Sequence, residues 1–249
     1  MQLTSDLCMH WSRILGLPIT RLEKSKVEFI SVSEQIQVPP GWLLLAVRVN
    51  EACVIPVDQE RIDEAKQIFS DLTVKEIFTE VGAERIQRFF EIEPERIAHH
   101  IHLYCDREHF RSVKKQSARR LMPYGSDREI CMDWRSKYPR AINPYTYEEA
   151  NPVSYGVIID GELASLSVVW KYDLPFWEIG VETAPDYRMR GYAKSVVSLA
   201  TEEVMAAARI PWYKVDANPL NIASLKVSKA LGYVEYMESL NYKIRAQQC

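Results

Sequence analysis

The strongest constraint in this 249-residue chain is a change of period in its second half. Phe176 to Thr183 reads as a strand. From Gly191 to Arg209 the apolar residues Ala193, Val196, Val197, Ala200, Val204 and Ala207 recur at helical spacing, and Pro211 marks the end. Between them lies Ala184-Pro185-Asp186-Tyr187-Arg188-Met189-Arg190-Gly191-Tyr192-Ala193, so a tight turn must deliver the chain into the helix. The first amides of a helix have no internal partners and sit at its positive dipole end, and a glycine lets the backbone approach a ligand closely. The junction is therefore an anion site, with Arg188, Arg190 and Lys194 adding positive charge at its rim.

Two phosphate-binding folds also use a helix N-terminus, and neither fits. The chain has no Gly-Lys-Ser/Thr and no G-x-G-x-x-G. Upstream, Val153 to Asp160 and Leu163 to Trp170 are strands joined by Asp160-Gly161, a two-residue hairpin signal, so the sheet is antiparallel there rather than a βαβ series. Downstream, Tyr213 to Asp216 reads as a strand and Ile222 to Leu231 as a helix. One or two closing strands follow around Tyr233 to Tyr236 and Leu240 to Ile244. Ser117 to Leu121 is a short strand candidate and Asp127 to Trp134 a helix candidate.

The first half carries a different pattern and no catalytic motif. Ser5 to Leu15 reads as a helix stopped by Gly16 and Pro18. Val27 to Val32 and Trp42 to Val49 read as strands, the second entering a hairpin with Cys53 to Pro56. Asp58 can cap a helix bearing Ile62, Ala65, Ile68 and Phe69, and Thr73 with Glu76 forms a capping box that opens another. Ala83 to Phe90 is a third helix, and His102 to Cys105 the end of a strand. The break falls near Arg111 to Gln116, within the basic, polar stretch Arg107 to Arg120, which reads as a solvated linker face. The expected division is a smaller N-terminal α+β accessory domain at 1–114 and a second domain at 115–249.

Charge and cysteine usage exclude several classes. Thirty-one Lys and Arg against 34 Asp and Glu leave a net charge of −3 without a block of either sign, so no nucleic-acid partner is expected. Cys8, Cys53, Cys105, Cys131 and Cys249 are scattered and odd in number, which fits reduced thiols and a cytoplasmic location. Met1 to Glu23 does not read as a signal peptide, and no apolar run approaches the roughly 20 residues that span a bilayer. His99, His100 and His102 are common metal-ligand types, but on a strand only His100 and His102 share a face and no acid or thiolate joins them at a recurrent spacing. The expectation is no metal and a partly exposed strand.

The junction resembles the central motif of the GNAT superfamily of acyl-CoA N-acetyltransferases, Arg/Gln-x-x-Gly-x-Gly/Ala between a strand and a long helix. Asn221-Ile222-Ala223-Ser224 followed by Ala230-Leu231-Gly232-Tyr233 is similar to the family's second segment, in the same order and spacing. The resemblance spans roughly residues 115 to 249. It implies an α+β fold whose mixed, mostly antiparallel sheet is splayed around acetyl-CoA and flanked by helices. It also implies cofactor contacts from the main chain of Val181 and Thr183, from the turn Arg188, Met189, Arg190, Gly191, Tyr192, Ala193 and Lys194, and from Asn221 and Ser224. Asn221 and Ser224 read equally as helix-capping residues. The wording Val181-Glu182-Thr183-x-Pro185-x-Tyr187-Arg188 is further similar to a narrower bacterial group that includes zwittermicin-resistance-type acetyltransferases with an extra N-terminal domain. A homodimer is admitted.

Acetylation of an amine requires its neutral form, and deprotonating an alkylamine of pKa about 10.4 at neutral pH costs roughly 4–5 kcal/mol. A carboxylate can take that proton. Strand alternation places Glu178, Gly180 and Glu182 on one face, which makes Glu182 the first candidate base and Glu178 the second. The bland alternative is a solvated or salt-bridged strand glutamate. Many family members carry a tyrosine four residues before the Gly-aromatic pair, as proton donor to the leaving thiolate; here the residue is Ser228. Ser228, a water, a nearby tyrosine or unassisted departure all remain open. The expected function is transfer of acetyl from acetyl-CoA to a primary amine in a ternary complex, with a small-molecule acceptor ahead of a protein. The competing class is a non-catalytic acyl-CoA-binding regulatory module or a protein-interaction adaptor. Trp170, Tyr172, Phe176 and Trp177 read as core ahead of pocket lining.

Overall fold

The computed structural model describes residues 2–32, 36, 38, 42–114, 117–139, 141–145 and 152–243. The expected Ile244 end of the last strand, Cys249, and part of the expected linker at 115–116 lie outside them. The chain forms two compact units, one of Met1–His102, Val215–Asn221 and Glu235–Cys249, the other of Leu103–Lys214 and Ile222–Val234. Both are discontinuous in sequence. A linear division at residue 114 would place the last strand with the second domain, whereas most of that strand lies in the first unit.

The first unit opens with α1 (Gln2–Leu15) and the short α2 (Ile19–Leu22). Leu7, Trp11 and Leu15, four residues apart, are all buried on one face of α1. Gly16 ends the helix at φ 63°, with the Leu17 amide bonded to the Ser12 carbonyl at 3.0 Å and its own amide to Arg13 at 3.3 Å. This is the left-handed stop that glycine permits.

β1 (Val27–Ser31), β2 (Trp42–Val49) and β3 (Ala52–Val57) follow, with β2 and β3 antiparallel across Asn50-Glu51 and β1 parallel to β3. The parallel pairing had no signal in the sequence, because β-branched runs specify a strand but not its neighbour. α3 (Ile62–Phe69) and α4 (Glu80–Phe90) contribute Ala65, Phe69, Ile86 and Phe89 to one core cluster with Leu45, Cys53, Ile55, Val57 and Leu240. The Thr73–Glu76 capping box forms, with the Thr73 amide 2.8 Å from the Glu76 carboxylate. It opens only a 3₁₀ turn at Glu76–Phe78, and α4 restarts at Glu80.

β4 (Ile97–Tyr104) carries the three histidines. As alternation required, His100 and His102 share a face and His99 points away. The expected partial exposure is wrong for two of them: His100 and His102 are buried, at 7% and 1% exposed. They are satisfied by β10 (Val234–Lys243), where Ser239 lies 2.6 Å from His102 and Asn241 3.3 Å from His100, while His99 bonds Glu238 at 2.7 Å. β10 is one strand with an irregularity at Leu240/Asn241 rather than two. In this unit the strand order is β1-β3-β2-β10-β4.

The second unit contains β5 (Arg119–Arg120), α5 (Arg128–Lys137), β6 (Val153–Ile159), β7 (Glu162–Trp170), β8 (Phe176–Thr183), α6 (Tyr192–Ala206), β9 (Ile210–Asp216, of which Ile210–Lys214 belong here) and α7 (Ile222–Ala230). Its order is β9-β8-β7-β6-β5. Asp160 and Gly161, at φ 50° and 82°, make the expected hairpin turn. α6 buries Val196, Val197, Ala200 and Val204 and stops at Ala206 through a left-handed Ala208 that lets Arg209 bond the Val204 carbonyl at 3.1 Å. The segment read as a solvated linker is bonded into this unit: Arg107 donates to the Met205 carbonyl at 2.8 Å and the Arg111 amide to Leu231 at 3.0 Å. Gly232 is required there. Its φ is 90°, and a Cβ would lie 1.9 Å from the His109 carbonyl oxygen.

Candidate active site

The site begins where two paired strands part. β8 and β9 run parallel from Phe176↔Ile210 to Ile179↔Tyr213, and their register ends there. β7 stays with β8 as far as Ser165↔Thr183. The Ala184 amide donates to the Ala164 carbonyl at 3.0 Å, so by strand alternation Gly180 and Glu182 also turn their main chain toward β7. Val181 and Thr183 turn theirs to the opposite edge, where β9 has ceased to pair. At Thr183 that edge is already engaged. Its amide meets the Glu182 carboxylate at 3.3 Å and its carbonyl accepts from Arg188 Nε at 3.3 Å. Val181 therefore carries the open part of the edge.

Beyond β8 a 3₁₀ turn at Pro185–Tyr187 leads into two left-handed residues, Met189 at φ 61° and Gly191 at φ 84°, and α6 starts at Tyr192. The first helical bond runs from the Ser195 amide to the Gly191 carbonyl at 3.2 Å, so the amides before it are available to a ligand. Met189 is fully exposed. The three basic side chains behave differently. Arg188 folds back over β8, with its guanidinium 3.7 Å from the Glu182 carboxylate; Arg190 lies over the Tyr187 ring at 5.5 Å; Lys194 is half-buried in the first turn of α6.

Glu178, Gly180 and Glu182 share a face, as the alternation predicts. Tyr155, Ser167 and Val181 stand opposite one another across β6, β7 and β8, and the Tyr155 hydroxyl donates to Glu203 of α6 at 3.0 Å. That row faces α6, and the glutamates face the other way. A Cβ on Gly180 would lie 2.7 Å from both Ile142 and Trp170, which shows how closely side chains pack against this face. The two glutamates have different surroundings. Glu178 is buried, ion-paired to Lys214 at 2.9 Å and within 3.3 Å of the Tyr172 hydroxyl. Glu182 is partly exposed and lines a cleft of about 370 Å³ with Trp134, Tyr138, Pro139, Ala141, Thr183, Ala184, Pro185 and Arg188. Trp134 and Tyr138 come from α5 and the residue following it, one turn apart, with rings 4.8 Å apart. Trp170, Tyr172 and Phe176 are core, as expected.

The second segment is less open than its wording implied. Ser228 is fully buried in α7 and donates to the Leu225 carbonyl at 3.0 Å, a helix-interior bond. Ser224 shares a hydrogen bond of 2.9 Å with the Tyr213 hydroxyl. Burial, reinforced by the charge of Glu182 and opposed by Ser224, pushes the Tyr213 pKa up to about 12. Asn221 immediately precedes α7, with its amide bonded to the Asp216 carbonyl at 2.9 Å. Tyr213, Lys214, Trp134 and Tyr138 were not singled out as site residues. The first pair differs from ordinary strand residues only through its place at the parting of the strands. The aromatic pair had a readable signal, its four-residue spacing. Among the described residues no group of three or more His, Cys, Asp or Glu is arranged to hold a metal ion.

Solved structures similar to the chain include a GNAT-family protein from Novosphingobium aromaticivorans (23% identity, TM-score 0.47, covering 59% of this chain and 66% of that one). An acetyltransferase of the GNAT family from Colwellia psychrerythraea matches at 13% identity and TM-score 0.48, over 59% and 56% of the two chains. A GCN5-related N-acetyltransferase from Kribbella flavida matches at 12% identity and TM-score 0.45, over 60% and 59%. The chain thus spans less than two thirds of the length of these structures. No curated protein matches it. The family model described as an acetyltransferase (GNAT) domain matches residues 97–234, more than half of the chain, and it takes in the parted strands, the turn and both helices: the chain belongs to the GNAT acetyltransferase family.

Proposed function

We propose that this chain transfers the acetyl group of acetyl-CoA to a primary amine by direct attack in a ternary complex, with Glu182 as general base. The observation that carries this reading is the parting of β8 and β9 beside the N-terminus of α6. The residues fit an acyl-CoA. The open edge at Val181 can pair with the amides of a pantetheine arm, and the amides at the start of α6, with Arg190 and Lys194, suit a pyrophosphate. Ser224 and Asn221, at the start of α7, complete the assignment for the arm. The cosubstrate supplies an activated thioester carbonyl.

Glu182 is preferred to Glu178 because a base must reach a ligand. Glu178 is held in a largely buried pair with Lys214, whereas Glu182 opens on a cleft, and its ion pair with Arg188 is solvent-exposed and so weak. Glu182 takes the ammonium proton, and the neutral nitrogen is then free to attack. Ser228 is not assigned as a proton donor, since its buried hydroxyl is committed to Leu225. Tyr213, whose buried hydroxyl is shared with Ser224 and whose pKa is pushed up to about 12, is not assigned as the proton donor either. No general acid is assigned to the leaving thiolate. We place the activity in the cytoplasm; Cys8, Cys53, Cys105 and Cys131 are free, buried thiols. Among the described residues no helix is long and apolar enough to cross a membrane.

The test follows thiol release from acetyl-CoA across a panel of amines, for the native chain and Glu182→Gln. Acetyl-CoA binding without release for any amine overturns catalysis and favours a regulatory acyl-CoA-binding module. Native-like release by the variant removes Glu182 as the base.

A further inference from the structure

Among the described residues that line the cleft at the end of β8, Glu182 and Arg188 are the charged ones, and the rest of that lining is largely apolar. Its volume of about 370 Å³ lies in the range of small-molecule sites. Tyr138, backed by the buried Trp134 at an interplanar angle of 57°, supplies aromatic surface, and Pro139, Ala141, Ala184 and Pro185 supply aliphatic surface. The Arg188 side chain does not aim at the amides of the turn that contains it. It folds back onto the Thr183 carbonyl and stands 3.7 Å from Glu182, with 61% of the Arg188 side chain and 36% of the Glu182 side chain exposed. An ion pair that long and that wet is worth little and opens readily.

From these features we infer that the cleft takes the acetyl acceptor, and that the acceptor is an α-amino carboxylate bearing an aromatic or bulky apolar side chain. This rests on the acetyltransferase reading above. In an α-amino acid one carbon separates the ammonium from the carboxylate, a spacing that matches two opposite charges 3.7 Å apart. Laid alongside the pair, the ammonium faces Glu182 and the carboxylate faces Arg188, so two charge-assisted contacts are added to one weak pair. The apolar side chain lies against Tyr138 and the aliphatic wall of the cleft. A polycation would be repelled by Arg188, and an amine without a carboxylate would gain only one of the two contacts. The reaction balances: Glu182 removes one proton from the ammonium, the neutral nitrogen attacks and forms the amide bond, the carbon–sulfur bond breaks with its electron pair leaving on sulfur, and the second nitrogen proton passes to the departed thiolate, giving the free thiol.

The experiment measures kcat/KM for thiol release by the full chain with phenylalanine, phenethylamine, glycine and spermidine. Phenylalanine is expected to exceed phenethylamine and spermidine by tenfold or more. Arg188→Leu is expected to bring the phenylalanine-to-phenethylamine ratio to within about twofold, a ratio in which any loss of acetyl-CoA affinity cancels. Tyr138→Leu is expected to lower the phenylalanine-to-glycine ratio by about fivefold. Equal or better turnover of phenethylamine or spermidine overturns the inference and leaves the acetyltransferase reading intact, as does a ratio unmoved by Arg188→Leu. Acetyl-CoA binding without thiol release for any amine overturns both.

Discussion

Two regions supported on the same strand use opposite materials. The turn from Arg188 to Lys194 is a main-chain device, in which left-handed Met189 and Gly191 present the amides at the start of α6. The face carrying Glu178 and Glu182 is a side-chain device, and two glutamates four residues apart end up in different states. Glu178 is locked to Lys214 while Glu182 opens on a cleft. The contrast teaches that a backbone site is specified by local order, whereas the chemistry of a carboxylate is specified by what the rest of the fold brings against it.

Four substitutions test that comparison. Glu182→Gln should have the largest effect, lowering the rate of thiol release by about 10²- to 10³-fold with acetyl-CoA affinity, measured by calorimetry, within about twofold of native. Glu178→Gln should act on stability instead, costing about 3 kcal/mol in urea denaturation because the carboxylate charge opposite the largely enclosed Lys214 is lost. A rate loss as large as that of Glu182→Gln at native stability would erase the distinction between the two glutamates. Gly191→Val should weaken acetyl-CoA binding by about tenfold, since a β-branched residue resists φ 84°, while the acceptor KM stays near native.

The smallest effect is expected at Asp127, which the sequence marks as a helix start. Its carboxylate does not cap the helix but takes two bonds from Arg119, at 2.9 and 2.6 Å, and one from the Met122 amide at 2.8 Å. Arg119 in first place, with the Met122 amide and against the opposing effect of burial, holds its pKa below the ordinary range. A depressed carboxylate stabilises the fold above its unfolded pKa of about 3.9 and loses that contribution as pH falls through the folded value. Asp127→Asn should cost about 1–2 kcal/mol at pH 7 and progressively less below pH 4, read from urea midpoints at both pH values. A pH-independent cost would show that the charge is irrelevant there.

Elements whose neighbours lie close in sequence were legible. The Asp160-Gly161 hairpin, the α6 face of Val196, Val197, Ala200 and Val204, and the shared face of Glu178, Gly180 and Glu182 all follow from periods of 2 and 3.6. Where the partner is remote in sequence, reading failed. His102 is buried because Ser239, 137 residues away, satisfies it, and the 107–111 segment is bound because Met205 and Leu231 offer carbonyls.

The sequence by itself determined the strand–turn–helix junction, the positive rim around it and the family to which it points, because amide orientation and left-handed glycine geometry are properties of a few consecutive residues. Tertiary structure alone decided where β8 leaves β9, which glutamate is ion-paired and which opens on a cleft, and that Trp134 and Tyr138 stand beside that cleft. Those outcomes depend on burial and on charges brought together from distant positions, and a one-dimensional pattern carries neither.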